Sequence, residues 1–213
     1  MRPRDNPFRS ACIERVHYRF PENLSWRHLI QHLQQLGNRA ALVGPEGSGK
    51  TTLLEELHER IWDLGYRGRL LGAQPGLLSH IHAQPISKSE FLFLDSAERL
   101  TWIEWQQFKW AVRGAAGLVI TAHRPGWLPT LLECRTTPEL FEQIVSELIG
   151  GDLRDFTPAT LRELFVAHRG NIRAALRGLY DLAGGANSYA LPTLSSKAQR
   201  RANCSRSWFG ATK

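Results

Sequence analysis

The sequence predicts an α/β fold, a parallel sheet flanked by helices, followed by a small C-terminal three-helix unit. Three observations predict it. Short apolar runs alternate with amphipathic segments of helical period, a glycine-rich turn joins the first run to a helix, and residues 137–185 carry helix signals but no strand pattern. The chain has 213 residues, of which 42% are hydrophobic. This is enough for one domain with a small satellite, and disorder throughout is excluded.

The first part of the chain predicts two helices and two strands. Apolar residues at helical spacing mark helices at about 25–36 and 53–64, each ended by a glycine. The run 40–43 predicts a buried strand, and 69–71 predicts a weaker one. Residues 73–89 hold two prolines and several polar residues, so we expect a loop there.

The middle of the chain predicts three further strands and a tryptophan-rich helix. The runs 91–94, 118–121 and 131–132 are apolar, and a helix at about 101–115 separates the first two. We expect the aromatic residues of this helix to pack in the core, with a partner-docking stripe as the alternative. These residues are Trp102, Trp105 and Phe108.

Three helices are predicted in the C-terminal part. Thr137-Pro138 and Thr157-Pro158 each pair an N-cap residue with proline at the first helical position, and Gly170-Asn171 precedes a third amphipathic run. We therefore divide the chain into an N-terminal segment with a helix, an α/β core, a helical lid and a basic tail expected to be disordered. The corresponding ranges are 1–37, 38–136, 137–185 and 186–213.

The strongest motif is the glycine-rich turn after the first predicted strand, which satisfies the phosphate-binding pattern GxxxxGK[ST]. Its glycines let the backbone turn with positive φ and approach a phosphate, toward which successive N–H groups and the next helix N-terminus point. Lys50 is expected to neutralise the β- and γ-phosphates, and the Thr51 hydroxyl to bind Mg²⁺. The predicted nucleotide-binding residues are Gly44, Pro45, Glu46, Gly47, Ser48, Gly49, Lys50, Thr51 and Thr52.

A second candidate ligand for the metal follows the run 91–94. Asp95 ends that run, and the carboxyl edge of a parallel sheet is where ligands bind. Its carboxylate is expected to hold Mg²⁺ directly or through water. Together, the phosphate-binding turn and this acid predict a P-loop NTPase that uses ATP and Mg²⁺.

In ordered pieces from about residue 6 to residue 183, the chain resembles the AAA+ and related STAND-type P-loop ATPases. Asn6-Pro7-Phe8, ahead of a helix and the P-loop, is similar to the start of the secretion-ATPase (ExeA-like) and transposition-ATPase branch. The resemblance implies that the N-terminal segment lies against the adenine, where Tyr18 or Phe20 would stack. Packing in the core is the equal alternative for both rings.

Two more residues take roles from this resemblance. Thr121 ends the fourth predicted strand and stands at the sensor-1 position, between the P-loop strand and the Asp95 strand, where it would position the attacking water. The segment 168–173 is similar to the sensor-2 segment of the lid, from which Arg173 would reach the γ-phosphate. The structural alternatives are an ordinary strand-end threonine and a solvated surface arginine.

The sequence departs from the family pattern at the catalytic acid. The family has a glutamate directly after the Asp95 position, but this chain has Ser96, and the nearest carboxylate is that of Glu98. Glu98 is a catalytic candidate if residues 96–98 turn helically, and otherwise a surface acid. The candidates for an arginine that acts on a neighbouring subunit are Arg124 and Arg135.

Basic residues concentrate at the C-terminus. The formal net charge is +7, and residues 187–213 hold five basic residues and no acid. With Arg200-Arg201 and Trp208-Phe209, this tail is compatible with nucleic-acid contact, although a solvated tail is the simpler interpretation. Three widely spaced cysteines, no apolar leader and no run of 18 apolar residues favour a cytoplasmic protein without membrane insertion. No metal site is expected at His80, His82 or His123.

The leading functional hypothesis is an AAA+-like ATPase, slow or partner-stimulated, in which nucleotide changes the geometry between core and lid. It would act on an unidentified protein partner, and homo-oligomers are compatible with it. A non-hydrolysing switch or adaptor is the second hypothesis, supported by Ser96. A DNA-associated loader or transposition helper is a third. A small-molecule kinase is disfavoured, because residues 73–89 contain one Lys and no Arg to bind a substrate.

Overall fold

The centre of the molecule is a five-stranded parallel sheet with the strand order β2-β3-β4-β1-β5. The computed structural model describes residues 6–22, 24–150 and 156–184. The strands are β1 (Arg39–Val43), β2 (Arg67–Gly72), β3 (Glu90–Asp95), β4 (Gly117–Ala122) and β5 (Thr130–Glu133).

The helices follow the predicted alternation with the strands. Those of the N-terminal segment and core are α1 (Ser10–Ile13), α2 (Trp26–Gln35), α3 (Lys50–Asp63), α4 (Leu77–Ala83) and α5 (Trp102–Ala111), with a 3₁₀ turn at Ala97–Arg99. Three helices form the lid: α6 (Pro138–Leu148), α7 (Pro158–Ala167) and α8 (Ile172–Ala183). This is the predicted α/β architecture with a C-terminal three-helix unit.

Apolar residues cover both faces of the sheet, which explains why the strands read as continuous apolar runs. Along β3, Phe91 and Phe93 pack on the side of α2 and α3, whereas Leu92 and Leu94 pack on the side of α4 and α5. This alternation is the two-residue period of a strand. Because both faces are buried, neither needs polar residues.

The lid has its own core, and the N-terminal segment is part of it. Phe8 is 2% exposed and packs with Phe141 and other buried side chains of the lid helices. Asn6, which is 1% exposed, donates from Nδ2 to the carbonyl of Tyr180 in α8 (2.9 Å) and accepts from the Phe8 N–H (3.0 Å). The first described residues therefore pack on the lid, and the chain then continues into the core.

Two sequence predictions are wrong. Residues 73–89 are not all loop, because they contain α4, whose Leu77 and Ile81 are buried against the sheet. On α5, Trp105 is buried as expected, but Trp102 is 73% exposed. In the described part of the chain, no helix has the length and apolar character needed to cross a membrane. The predictions for the tail fall outside the described residues.

Candidate nucleotide-binding cleft

The predicted phosphate-binding turn joins β1 to α3 at the carboxyl edge of the sheet. Gly47 and Gly49 have φ values of +74° and +82°, in the left-handed region that glycine adopts at little cost. Gly49 is the N-cap of α3, so the N–H groups of the first turn of that helix point toward the turn. An anion in this turn would meet both the backbone N–H groups and the positive end of the helix dipole.

Lys50 is folded inward on this turn. Its ammonium donates to the carbonyls of Gly44 (2.8 Å) and Pro45 (2.7 Å), and the side chain is buried. Burial lowers the pKa of Lys50, and the negative charge of Glu98 is the largest of the contributions that oppose this. A buried cation whose hydrogen bonds go to neutral carbonyls is well suited to a phosphate.

Asp95 and Thr51 meet as predicted for a shared metal site. The Thr51 hydroxyl lies 3.2 Å from Asp95 Oδ1, and the Thr121 hydroxyl donates to the same oxygen over 2.7 Å. β4 lies between β1 and β3, which places Thr121 between the P-loop strand and Asp95 as the family resemblance implied. Thr121 Oγ1 also accepts from the Ser96 N–H at 2.7 Å, so this hydroxyl fixes both the carboxylate and the residue after it.

The chain turns sharply after Asp95. Ser96 has φ +60° and ψ +47°, a left-handed conformation that is uncommon for a residue other than glycine. The 3₁₀ turn then brings Glu98 back to the same cleft as Lys50 and Asp95. There, Glu98 Oε1 lies 3.1 Å from His123 Nε2.

The lid closes one side of the cleft. The space between lid and core has a volume of about 550 Å³, and Arg173 lines it together with the P-loop. Asn171 caps α8 by accepting the Ala174 N–H (2.9 Å). The same side chain contacts the P-loop so closely that a Cβ on Gly47 would lie 2.0 Å from Asn171 Oδ1.

The N-terminal segment also lines the cleft, and its two candidate aromatic residues differ in position. Tyr18 lines the cleft and lies over Gly49, where a Cβ would lie 3.2 Å from its ring. Burial and the neighbouring Cys134 thiol, with which its hydroxyl forms a hydrogen bond, raise the pKa of Tyr18. Phe20 packs instead edge-on against Trp26, with ring centroids 4.9 Å apart. Of the two rings, only Tyr18 is in reach of a nucleotide.

The arginine candidates lie outside this cleft. Arg124 is exposed in the turn after β4, and Arg135 is exposed and paired with Glu133. Neither side chain lines the cleft of its own chain. An arginine that acts on a neighbouring subunit need not do so, and their role stays a prediction.

Sequence reasoning missed four features in and around the cleft. His123 was considered only for metal binding, Asn171 only as a helix start, and Cys134 only as a thiol. Cys134 donates its backbone N–H to Val43 (2.6 Å), and its carbonyl lies 2.4 Å from the Cβ position of Gly44. The apolar lining from the lid was also missed, and it consists of Leu140, Ile144, Ile172 and Leu176. Apart from Asn171 and Ile172, which fall in the segment 168–173, these residues belong to no motif, and only their position in the fold reveals them.

The sheet order, the phosphate-binding turn and the C-terminal three-helix unit define a P-loop NTPase fold, a parallel sheet flanked by helices with a small helical unit after it. Among solved structures, DnaA from Aquifex aeolicus bound to AMPPCP is similar with a TM-score of 0.57, at 18% sequence identity over 86% of this chain and 68% of that one. RuvB from Thermotoga maritima has a TM-score of 0.52, at 19% identity over 76% of this chain and 63% of that one. The chain thus spans less than two thirds of that RuvB chain. No family model and no curated protein matches it.

Proposed function

We propose that this chain binds Mg·ATP between the α/β core and the lid and hydrolyses it, so that nucleotide state sets the geometry between the two. One observation carries the proposal. The P-loop, the Thr51–Asp95 pair and the Arg173-bearing end of the lid all line a single cleft of about 550 Å³. That volume is in the usual range for small-molecule sites, roughly 300–1,000 Å³.

The polar end of the cleft suits a triphosphate. The turn offers backbone N–H groups, and Lys50 and Arg173 offer positive charge from the core and from the lid. Because those two cations belong to different parts of the molecule, a bound γ-phosphate would draw them together. The DnaA structure of the same fold holds an ATP analogue, AMPPCP, which supports the choice of ATP.

The donor set at Thr51 and Asp95 suits Mg²⁺. A hydroxyl and a carboxylate are the hard oxygen ligands that this ion prefers, and their oxygens are 3.2 Å apart. When bound, the ion neutralises charge on the β- and γ-phosphates. Thr121 holds the carboxylate in place from the adjacent strand.

The apolar end of the cleft suits the base. Tyr18, Ile144 and Leu176 line it from the N-terminal segment and from the lid. A purine between these elements would bridge them, just as the phosphates bridge Lys50 and Arg173. Closure of the lid is therefore favoured at both ends of one ligand.

The test is nucleotide binding and hydrolysis by purified protein, with Lys50→Ala as the variant and Lys88→Ala as its control. Lys88 is exposed in the connection before β3, at the opposite end of that strand from Asp95, and it does not line the cleft. We expect ATP affinity to fall steeply in Lys50→Ala and to stay unchanged in Lys88→Ala. If Lys50→Ala binds ATP as the native chain does, the site is assigned wrongly.

A non-hydrolysing switch is the second candidate, favoured by Ser96 at the position of the family's glutamate. Tight ATP binding without turnover would support it over the ATPase.

The more specific proposals concern what the chain acts with. We propose that it acts on a protein partner and that it forms homo-oligomers. We also propose that the tail contacts DNA, as in a loader or in the ExeA-like and transposition branch. DNA contact predicts a salt-dependent mobility shift of duplex DNA in the presence of ATP.

A further inference from the structure

Glu98 and His123 form a carboxylate–imidazole pair at the edge of the cleft. His123 Nε2 lies 3.1 Å from Glu98 Oε1, and both residues line the same space as Lys50 and Asp95. The two come from neighbouring strand ends: Glu98 from the 3₁₀ turn after β3, and His123 from the residue after β4. Because β3 and β4 are adjacent and parallel, their carboxyl ends meet at this edge.

The backbone after Asp95 is shaped to deliver Glu98 to this position. Ser96 occupies the left-handed region, and its N–H is fixed by the Thr121 hydroxyl at 2.7 Å. An extended residue at this point would carry the following side chains away from the sheet edge. With the left-handed turn, a carboxylate three residues after Asp95 returns to the cleft.

One oxygen of this carboxylate has no partner. Glu98 Oε2 is buried and makes no hydrogen bond within the part of the chain that the structure describes. A buried carboxylate oxygen without a donor is costly unless water or a ligand supplies one. Because Glu98 lines the cleft beside Lys50, rotation of its carboxylate into that space would let water or a ligand supply the donor.

The pair of Glu98 and His123 contributes little to the stability of the fold. The His123 side chain is 49% exposed, and ion pairs that are exposed to this degree contribute little to folding. The pair does, however, leave one oxygen of Glu98 held by the imidazole and the other without a hydrogen-bond donor among the described residues. That division is typical of a base whose orientation is set by a second residue.

We propose that Glu98 is the general base for ATP hydrolysis and that His123 is its positioning residue, replacing the glutamate lost at Ser96. The inference rests on the proposed function. The Glu98 carboxylate, rotated into the cleft, accepts a proton from the attacking water, whose oxygen forms a bond to the γ-phosphorus. The bond from that phosphorus to the β–γ bridging oxygen breaks, and its electron pair leaves with ADP. The proton then passes from Glu98 to solvent, which balances ATP and water against ADP, phosphate and a proton.

The experiment measures kcat and KM for ATP hydrolysis, and ATP binding separately, in the full chain. Glu98→Gln should lower kcat by about 10²-fold or more, the usual contribution of a general base, without weaker binding. His123→Ala should lower kcat by about tenfold or more at unchanged KM, because the base is misplaced. His80→Ala, an exposed histidine on α4, is the matched control and should behave as the native chain does.

Two conservative variants separate positioning from a structural effect. The amide nitrogen of His123→Gln reaches about as far as Nε2, so this variant should recover most of the turnover. In His123→Asn the nitrogen stands nearer the backbone, so turnover should stay low. A circular-dichroism melt of each variant shows whether it is folded.

The outcomes distinguish this inference from the proposed function. One outcome is that Lys50→Ala abolishes ATP binding while Glu98→Gln or His123→Ala hydrolyses ATP as fast as the native chain. In that case the nucleotide site is assigned correctly, and Glu98 and His123 are not catalytic. Faster turnover in His123→Ala would also overturn the inference, because His123 would then restrain Glu98. If the native chain binds ATP tightly without turnover, there is no base to assign. Failure of Lys50→Ala to change binding overturns the site itself.

Discussion

At the scale of single residues, one hydroxyl organises the centre of the cleft. Thr121 Oγ1 donates to Asp95 and accepts from the Ser96 N–H, each at 2.7 Å, and Thr121 is 1% exposed. The residue thus links the candidate metal ligand to the strained turn that carries Glu98. A methyl group in place of the hydroxyl would keep the shape of the side chain and remove both hydrogen bonds.

We therefore expect Thr121→Val to lose about 1–3 kcal/mol of stability, because the Ser96 N–H and Asp95 Oδ1 each lose a hydrogen-bond partner in a poorly hydrated position. Turnover should fall as well, since both Asp95 and Ser96 are released. Thr121→Ser keeps the hydroxyl and should retain most of both properties. Denaturant unfolding and steady-state hydrolysis measure the two effects, and equal stability of Thr121→Val and Thr121→Ser would contradict the argument.

Gly47 offers a residue-scale test of the contact between P-loop and lid. A Cβ there would lie 2.0 Å from Asn171 Oδ1, and φ is +74°. Gly47→Ala should weaken ATP binding by about tenfold or more, because the lid must move away from the phosphate site. Gly76→Ala is the control for backbone strain alone, since Gly76 has φ +88° and nothing within 4 Å. Isothermal titration with ATP would show whether only Gly47→Ala loses affinity.

Residue identities in the P-loop could be predicted because their chemistry depends on local backbone shape. Gly47, Gly49 and Lys50 are read directly from the spacing of one turn. His123 could not be found in that way, since its partner Glu98 is 25 residues earlier and the two meet only through strand order. Tyr18 and Phe20 were equal candidates in the sequence, and they differ only in whether Gly49 or Trp26 lies beneath the ring.

At the scale of elements, the lid helices were predictable because each begins with a strong cap. The Thr137, Thr157 and Asn171 side chains all accept a backbone N–H at the start of their helix, and proline follows the first two. Helix α4 is hidden in the sequence because Pro75 and Pro85 are typical of a loop. Both prolines lie outside Leu77–Ala83 and flank the helix, and Leu77 and Ile81 are spaced for burial on one side.

The first residues of the N-terminal segment, ahead of α1, contribute to the core of the lid. Phe8 is 2% exposed in the lid core and meets Phe156 edge-on at 5.6 Å between ring centroids. Phe8→Ala should cost about 3–5 kcal/mol, the usual loss for a buried phenylalanine, and the lid should unfold at lower denaturant than the core. Trp102→Ala removes a larger but 73% exposed ring and should change stability little.

Hydrogen exchange resolved by peptide would separate the two parts of the molecule in this experiment. Faster exchange in α6, α7 and α8 of Phe8→Ala, with β1 and β3 unchanged, is the expected pattern. Uniform loss of protection across the sheet and the lid would instead mean that the two parts unfold together. Unchanged exchange in the lid would mean that the segment contributes little to its stability.

At the scale of the whole molecule, the order of the strands decides what the cleft contains. Periodicity predicted which segments are strands, but their order followed only from the family resemblance. Because β4 lies between β1 and β3, Thr121 meets Asp95 and His123 meets Glu98. The same strand order places the P-loop, which follows β1, beside both pairs of residues. The lid and the N-terminal segment also line the space, so a ligand would contact three parts of the chain that are separated in sequence.

A ligand that bridges core, lid and N-terminal segment should stabilise the whole molecule. At a concentration one hundred times its Kd, Mg·ATP would add about 2.7 kcal/mol. For a chain of this size each kcal/mol raises Tm by roughly 2–4 °C, so we expect a rise of roughly 5–10 °C. AMPPCP should give a similar rise, because binding and not hydrolysis is its cause. Lys50→Ala should show no rise, whereas Lys88→Ala should show the full one. A rise confined to the core, with the lid melting at its unliganded temperature, would mean that nucleotide binds without the closure that links Arg173 to the P-loop.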